Sequence, residues 1–169
     1  GVAAYCALTG LGRSLPGGLR PLDIVRYTAA ITLMWASVEK WAYPQWSFPL
    51  FIEHPAMTLG FTGEYFMKAA GAVEFALAFA LVCTPLVRRV AAILLAATFI
   101  SAIFEFGKVD AIGHAPIIVA MVALAADNAA SPYRLRNLAL TPVGYGAALT
   151  AFLGLYYGAH AVLQGSTLL

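Results

Sequence analysis

The sequence contains little charge and almost no cysteine. Its 169 residues include ten Lys and Arg and eight Asp and Glu, so that 11% of the chain is charged, against roughly 25% in an ordinary soluble domain. Two cysteines, Cys6 and Cys83, are too few for the disulfide framework of a small secreted protein. These shortages argue against a soluble globule and against a disulfide scaffold.

The sequence is rich in apolar residues. Hydrophobic residues make up 62% of the chain and the mean hydropathy is +0.82, which excludes the polar composition of a disordered chain. The sequence has no P-loop, dinucleotide fingerprint, nucleophile elbow or Cys-x-x-Cys motif, and no basic stripe that would bind nucleic acid. What remains is an integral membrane protein in contact with lipids.

Five segments are long and apolar enough to cross a bilayer, which takes about 20 residues in a helix. They are Leu22–Tyr43, Glu64–Val87, Val90–Phe106, Ala111–Asp127 and Val143–Leu163. The sequence therefore predicts an all-α, integral membrane helical bundle. Residues 1–21 form an apolar stub and a cytoplasmic loop, residues 22–128 a four-helix membrane domain, and residues 129–169 a cytoplasmic loop and one additional C-terminal transmembrane helix.

Arginines predict the orientation of this bundle. They lie before the first span and in alternate loops after it, at Arg13, Arg20, Arg26, Arg88, Arg89, Arg134 and Arg136. By the positive-inside rule these loops are cytoplasmic. The prediction is a multi-pass protein of the cell inner (cytoplasmic) membrane whose C-terminus is non-cytoplasmic.

The longest opposite loop, Pro44–Gly63, is rich in aromatic residues, as is typical of a membrane interface. The spacing of Pro44, Pro49 and Pro55 allows at most one short helix, between Pro49 and Leu59. We expect this segment to lie in the membrane plane, over the outer end of the bundle.

Six ionisable residues fall within the spans or at their outer ends: Glu39, Lys40, Lys68, Glu74, Glu105 and His114. All lie in the non-cytoplasmic half, and we expect no counterpart in the cytoplasmic half. A charge inside a span is costly, so it usually faces the protein interior or a water-filled cavity and has a partner. The group therefore predicts either internal ion pairs or one polar site.

Both alternatives make specific predictions. In the first, Lys68 pairs with Glu39 or Glu105, and Lys40 extends to the membrane surface. In the second, Glu74 is functional, because it stands in mid-span in AAGAVEFALAFA with no charge near it on its own helix. A carboxyl group there is either protonated or paired across helices.

His114 is the other candidate for chemistry. Pro116 suits the first turn of a helix, and Asp110, four residues before His114, could cap that helix or orient the imidazole. Carboxylates and His from several helices can bind a metal ion in a bundle. The Glu-x-x-His spacing that would indicate such a site is absent, so the sequence assigns no metal ligands.

Several segments resemble the DoxX-like family of small bacterial and archaeal membrane proteins. They are LDIVRYTAAITLMW with the polar and aromatic residues that follow it as far as Trp41, GAVEFALAFAL, the basic turn Val87-Arg88-Arg89, and EFGKVDAIGHAPIIV. The resemblance covers Leu22–Asn128 and implies a four-helix membrane bundle, to which this chain adds a fifth helix. It also implies a role near thiosulfate:quinone oxidoreductase or another membrane system of thiol or sulfur redox chemistry.

A quinone site in lipid needs an apolar cleft that ends at a proton-accepting group. We assign Glu74, Glu105 and His114 to catalysis, and Trp35, Trp41 and Glu39 to cofactor binding. A quinone fits this set better than a metal ion does, although the sequence names no cofactor. The predicted function is a membrane subunit of a quinone-linked redox system. The alternative is a structural accessory subunit, without catalysis, bound to other membrane subunits.

Overall fold

The computed structural model describes residues 18–129 and 141–165, and within those ranges the chain is helical with no β-strand. The prediction of an all-α fold is confirmed. The helices are α1 (Pro21–Ala42), α2 (Pro44–Glu53), α3 (Gly63–Ala80), α4 (Pro85–Phe106), α5 (Lys108–Ala126) and α6 (Thr141–Gly165), with a short 3₁₀ turn at Pro55–Thr58 after α2. The N-terminal stub and the loop at Arg134 and Arg136 lie outside the described residues.

Two of these helices, α4 and α5, are long and apolar enough to cross a membrane. Only 22% of the most apolar stretch of α4 and 11% of that of α5 are buried within the protein, so most of their apolar surface faces outward. Helices also form at the other three predicted spans. Among the described residues, however, length and composition mark only α4 and α5 as able to span a membrane.

The boundary between the second and third predicted spans is wrong. Helix α3 ends at Ala80 and α4 begins at Pro85, whereas the sequence predicted a continuous span to Val87. The reason is the Thr84–Pro85 pair, because a residue before proline is disfavoured in the helical conformation. Thr84 is extended, with φ −61° and ψ 158°. Arg88 and Arg89 consequently lie on the first turns of α4 rather than in a loop.

A single glycine connects α4 to α5. Gly107 has φ +79° and ψ −153°, a conformation that side chains strain and glycine adopts readily. Helix α5 therefore starts at Lys108, three residues before the predicted Ala111. As a result, Pro116 lies inside α5 and not in its first turn, so the predicted position of this proline is wrong.

The segment after α1 is more helical than its prolines suggested. Helix α2 begins at Pro44, in the N-terminal position that proline favours, and continues through Pro49 to Glu53. The limit of one helix between Pro49 and Leu59 is therefore wrong. Proline removes one backbone donor, and a single missing bond does not end this ten-residue helix.

The described residues form two compact units. The first contains residues 18–33 and 77–129, and the second contains residues 34–76 and 141–165. The largest buried apolar side chains of the first unit are Leu33, Phe79, Leu81, Leu95, Met121 and Leu124. Those of the second unit are Met34, Val38, Phe51, Met67, Phe75 and Tyr156. Each unit therefore has an apolar interior of its own.

Close helix packing in the second unit depends on Gly71. A Cβ at this position would lie 3.0 Å from the Ser37 carbonyl oxygen, 3.2 Å from the Lys40 Cβ and 3.2 Å from the Trp41 ring. The glycine therefore lets the backbones of α1 and α3 approach each other, which is the usual role of small residues between membrane helices.

We expect Gly71→Ala to lower the free energy of unfolding by about 1–3 kcal/mol, because the new methyl group overpacks this contact. Gly113→Ala is the matched control, since a Cβ there would meet no atom within 4 Å. That change should be neutral or stabilising by about 0.5–1 kcal/mol, because it removes a mid-helix glycine. Denaturant unfolding of both purified variants measures the difference, and equal effects would contradict the packing role of Gly71.

Candidate functional site

The predicted site residues belong to both units. Trp35, Glu39, Trp41 and Glu74 lie in the second unit, whereas Glu105 and His114 lie in the first.

Glu74 forms an ion pair with Lys40. The Lys40 Nζ donates to the Glu74 Oε2 at 2.6 Å, and the side chains are 17% and 24% exposed. Lys40 lies near the end of α1 and Glu74 in the middle of α3, so the contact joins two helices. The carboxylate without a charged neighbour on its own helix is thus paired across helices, and Lys40 does not extend to the surface as the first alternative predicted.

Lys68 has a different partner from those expected. Its Nζ donates to the Glu64 Oε1 at 2.6 Å, one turn away on α3, and both side chains are more than half exposed. Glu64 was not among the partners predicted for Lys68, which were Glu39 and Glu105. A neighbour four residues away on the same helix is reached at little entropic cost, which favours this contact.

The residues assigned to a cofactor make contacts within the protein. The Trp35 indole N–H donates to the Glu39 Oε1 at 3.1 Å, and that of Trp41 donates to the Lys68 carbonyl oxygen at 2.9 Å. The Trp35 ring packs on Tyr156 of α6, with centroids 5.1 Å apart. These tryptophans thus fasten helices of the second unit to one another.

His114 and Asp110 form a pair on α5. The His114 Nδ1 and the Asp110 Oδ2 are 2.8 Å apart, and the side chains are 29% and 20% exposed. The contact is an ion pair when the imidazole is protonated on both nitrogens. The ring also packs against Phe99 of α4, with centroids 5.0 Å apart. The Nδ1 and Oδ2 atoms nevertheless do not form a hydrogen bond, so the predicted role of Asp110 in orienting the imidazole stays a prediction. Glu105, on the last turn of α4, is exposed.

The described residues contain no group of three His, Cys, Asp or Glu side chains placed to hold a metal ion. A cavity of about 190 Å³ lies in the first unit, between α1 and α5. None of the six predicted site residues belongs to its lining. The cavity is instead bordered by apolar side chains and two threonines.

The charged cluster that the sequence analysis missed lies at the arginine end of the first unit. Asp23, Arg26 and Arg88 are completely buried, although all three lie within helices where the sequence predicted no counterpart to the outer charges. That prediction is wrong. The positive-inside rule assigns arginines to loops, where they are assumed to be solvated. The three-residue spacing of Asp23 and Arg26, however, already indicated two opposite charges on one face of α1.

Asp127 is the centre of this cluster. Arg20 donates from Nη1 and Nη2 to its two carboxylate oxygens at 2.9 and 2.8 Å, in the bidentate arrangement that guanidinium groups favour. The Arg88 Nη2 lies 3.3 Å from the Asp127 Oδ2 and also donates to the backbone carbonyl of that residue. Arg20 in turn bonds Asp23. The network thus ties together α1, α4 and the end of α5.

Arg26 has fewer hydrogen-bond partners than Arg20. Its Nη2 donates to the Tyr27 hydroxyl at 2.5 Å and lies 3.7 Å from the Asp23 Oδ1, while its guanidinium covers the Tyr27 ring at 4.5 Å. Among the described residues, the Nε and Nη1 of Arg26 and the Nε of Arg88 have no acceptor. The cluster therefore contains more positive charge than its two aspartates balance.

The bond from Arg20 holds the pKa of Asp127 below the ordinary value of 3.8, against the opposing effect of burial. A lowered folded-state pKa means that the ionised carboxylate stabilises the fold above the unfolded-state pKa, and that this stability is lost as the pH falls through the folded value. We expect the free energy of unfolding to decrease as the pH is lowered below about 4. Asp127→Asn should flatten this dependence in thermal unfolding at pH 3–7, and an unchanged profile would contradict the assignment.

Comparison of the chain with protein-family models, with curated proteins and with solved structures gave no match.

Proposed function

We propose that the chain is an integral membrane helical bundle and serves as a structural, non-catalytic subunit of a larger membrane assembly. The observation that carries the proposal is the Lys40–Glu74 ion pair at 2.6 Å. A charge inside an apolar helix usually has a partner, and this carboxylate has one in a cation from the neighbouring helix, so that a structural contact accounts for its position. Its role is then to join α1 to α3.

The composition of the helix surfaces supports the membrane part of the proposal. Phe104 is 86% exposed on α4, and Ile112 is 77% exposed on α5. Exposed apolar surfaces of this extent are unusual in soluble monomers and mark contact with lipid or with other proteins. The proposed orientation keeps the arginine end cytoplasmic, by the positive-inside rule.

An open face on α6 supports the assembly part of the proposal. A Cβ at Gly146, Gly154 or Gly158 would meet no atom within 4 Å. Gly154 and Gly158 form a small-x-x-x-small pair, which lets a second helix approach closely in lipid. The membrane lipids and the other subunits expected from the sequence are the natural neighbours of this face.

The size of the native assembly tests this function. We expect the tagged chain, extracted from its own membrane in mild detergent, to migrate well above its monomer mass of 17.9 kDa in native electrophoresis. The Gly154→Leu and Gly158→Leu double variant should release the monomer, whereas Gly113→Leu should not, although a Cβ at Gly113 also meets open space. Migration of the wild-type chain as a monomer would overturn the proposal.

A quinone-linked redox function is the second candidate, and the Asp110–His114 pair favours it. With an Asp110 carboxylate oxygen 2.8 Å from Nδ1, the Nε2 of the partly exposed imidazole is the nitrogen that would exchange a hydrogen bond with a quinone oxygen. The resemblance to the DoxX-like family points the same way.

Two substitutions distinguish the candidates. If the chain takes part in quinone chemistry, His114→Phe should abolish quinone-linked electron transfer by the purified native assembly while leaving its mass unchanged. Glu74→Gln tests the carboxylate of the other unit in the same assay. Unchanged electron transfer in both variants would exclude the redox function and leave the structural function as the remaining candidate.

A further inference from the structure

The cavity between α1 and α5, referred to below as the groove, is lined mostly by apolar side chains of the two helices. Its lining includes Val25, Thr28 and Thr32 on α1, and Pro116, Ala120 and Met121 on α5. From Val25 to Leu33, which also lines it, the groove follows α1 for about 12 Å, at a helical rise of 1.5 Å per residue. This length suits an apolar group that lies along the helices.

One end of the groove lies at the arginine cluster. Val25 directly precedes Arg26, and Met121 lies six residues before Asp127, which Arg20 binds from the start of α1. Arg89 reaches the same end, because its Nε donates to the Ala125 carbonyl oxygen at 3.0 Å, one helical turn beyond Met121. The Arg89 side chain is exposed, so it can contact a molecule that enters from outside.

The charge at this end is unbalanced. Four arginines, at 20, 26, 88 and 89, accompany only two aspartates, at 23 and 127. The other carboxylates on α4 and α5, Glu105 and Asp110, stand near the opposite helix ends, about 25 Å away at 1.5 Å per residue. Residues 1–17 and 130–169 of the sequence contain no Asp or Glu. An anion from outside the chain complements this excess.

We propose that the groove binds one acyl chain of an anionic phospholipid whose phosphate lies at the exposed edge of the arginine cluster, beside Arg89. This inference rests on the proposed membrane location. The apolar lining accounts for the chain of the lipid, and the excess of arginines accounts for a net negative headgroup. Basic pockets between membrane helices are known to hold acidic lipid headgroups in this way.

Native mass spectrometry of the full chain in detergent tests the proposal. The probes are palmitoyl-oleoyl phosphatidylglycerol and phosphatidylcholine, which have the same acyl chains and differ in net charge, and inorganic phosphate alone. We expect one phosphatidylglycerol per chain and weaker retention of phosphatidylcholine. Equal retention of both lipids, or displacement of phosphatidylglycerol by millimolar phosphate, would overturn the proposal.

Two matched pairs of variants locate the lipid. Ala120→Phe fills the groove and should weaken phosphatidylglycerol binding by about tenfold or more, whereas Ala115→Phe, on the same helix outside the lining, should not. Arg89→Gln should reduce the preference for phosphatidylglycerol by about fivefold, and Lys108→Gln, which removes one charge at the other end of α5, should leave it unchanged. Equal binding within either pair would refute the site.

The membrane location is tested separately, by resistance of the chain to alkaline extraction from its membrane. A chain that is extracted contradicts the proposed function itself. A chain that resists extraction and yet binds lipid equally in Ala120→Phe and Ala115→Phe contradicts only the lipid site.

Discussion

We expect Asp127→Ala to lower the free energy of unfolding by about 3 kcal/mol, the loss typical of breaking a buried ion pair from one side. The substitution leaves the guanidinium of Arg88, whose side chain is 0% exposed, without its carboxylate. It also removes the bidentate partner of Arg20. Because these arginines come from different helices, the loss should appear as a cooperative shift of the whole unfolding transition. Denaturant unfolding of the purified protein at pH 7 measures it.

Asp110→Ala is the control for this prediction. Asp110 is also an aspartate at a helix end with a basic partner, yet its contact is with one partly exposed histidine. We expect a loss of about 1 kcal/mol or less, as for exposed pairs. If Asp127→Ala and Asp110→Ala destabilise the protein equally, the arginine cluster does not hold the first unit together.

The second large effect is expected at the Lys40–Glu74 pair. Glu74→Met should lower the free energy of unfolding by about 2 kcal/mol, somewhat less than for a fully buried pair because both groups retain some exposure. Lys40→Met should cost a similar amount, since each single change leaves one charge among apolar side chains without its partner.

The double variant decides whether the two charges act together. Lys40→Met with Glu74→Met should cost less than the sum of the single changes, with a coupling of about 1–2 kcal/mol. Lys68→Met with Glu64→Met provides the comparison, because that pair is exposed and four residues apart on one helix. Its coupling should be about 0.5 kcal/mol or less. Strict additivity at Lys40 and Glu74 would show that the pair is no link between α1 and α3.

Composition and the lengths of apolar runs predicted the all-helical fold correctly. Those signals are averages over many residues, so they survive local irregularities. The boundaries are decided by individual residues instead. Thr84–Pro85 ended α3 seven residues before the predicted Val87, while Pro49, which has the same chemistry, did not interrupt α2. Whether a proline ends a helix depends on how the surrounding backbone is packed, and spacing alone does not contain that information.

The candidate site was harder to predict than the fold. The sequence identified the unusual residues, Glu74 and His114 among them, because a polar group in an apolar run is visible without a structure. It placed the partner of His114 correctly, since Asp110 is one turn away on the same helix. The partner of Glu74 is Lys40, 34 residues earlier, and no periodicity relates two positions on different helices. The arginines were misinterpreted for a related reason, because the positive-inside rule counts charges and says nothing about their burial.

The bonds between Arg20 and Asp127 join residues 107 positions apart in the sequence. The ribosome adds Asp127 long after it has made α1, and the α4–α5 hairpin around Gly107 is complete only shortly before. Throughout that interval Asp23 is the only one of the two aspartates bound by Arg20 that has been synthesised. The network therefore closes late in biosynthesis, and its formation marks the moment at which the first and last parts of the unit meet.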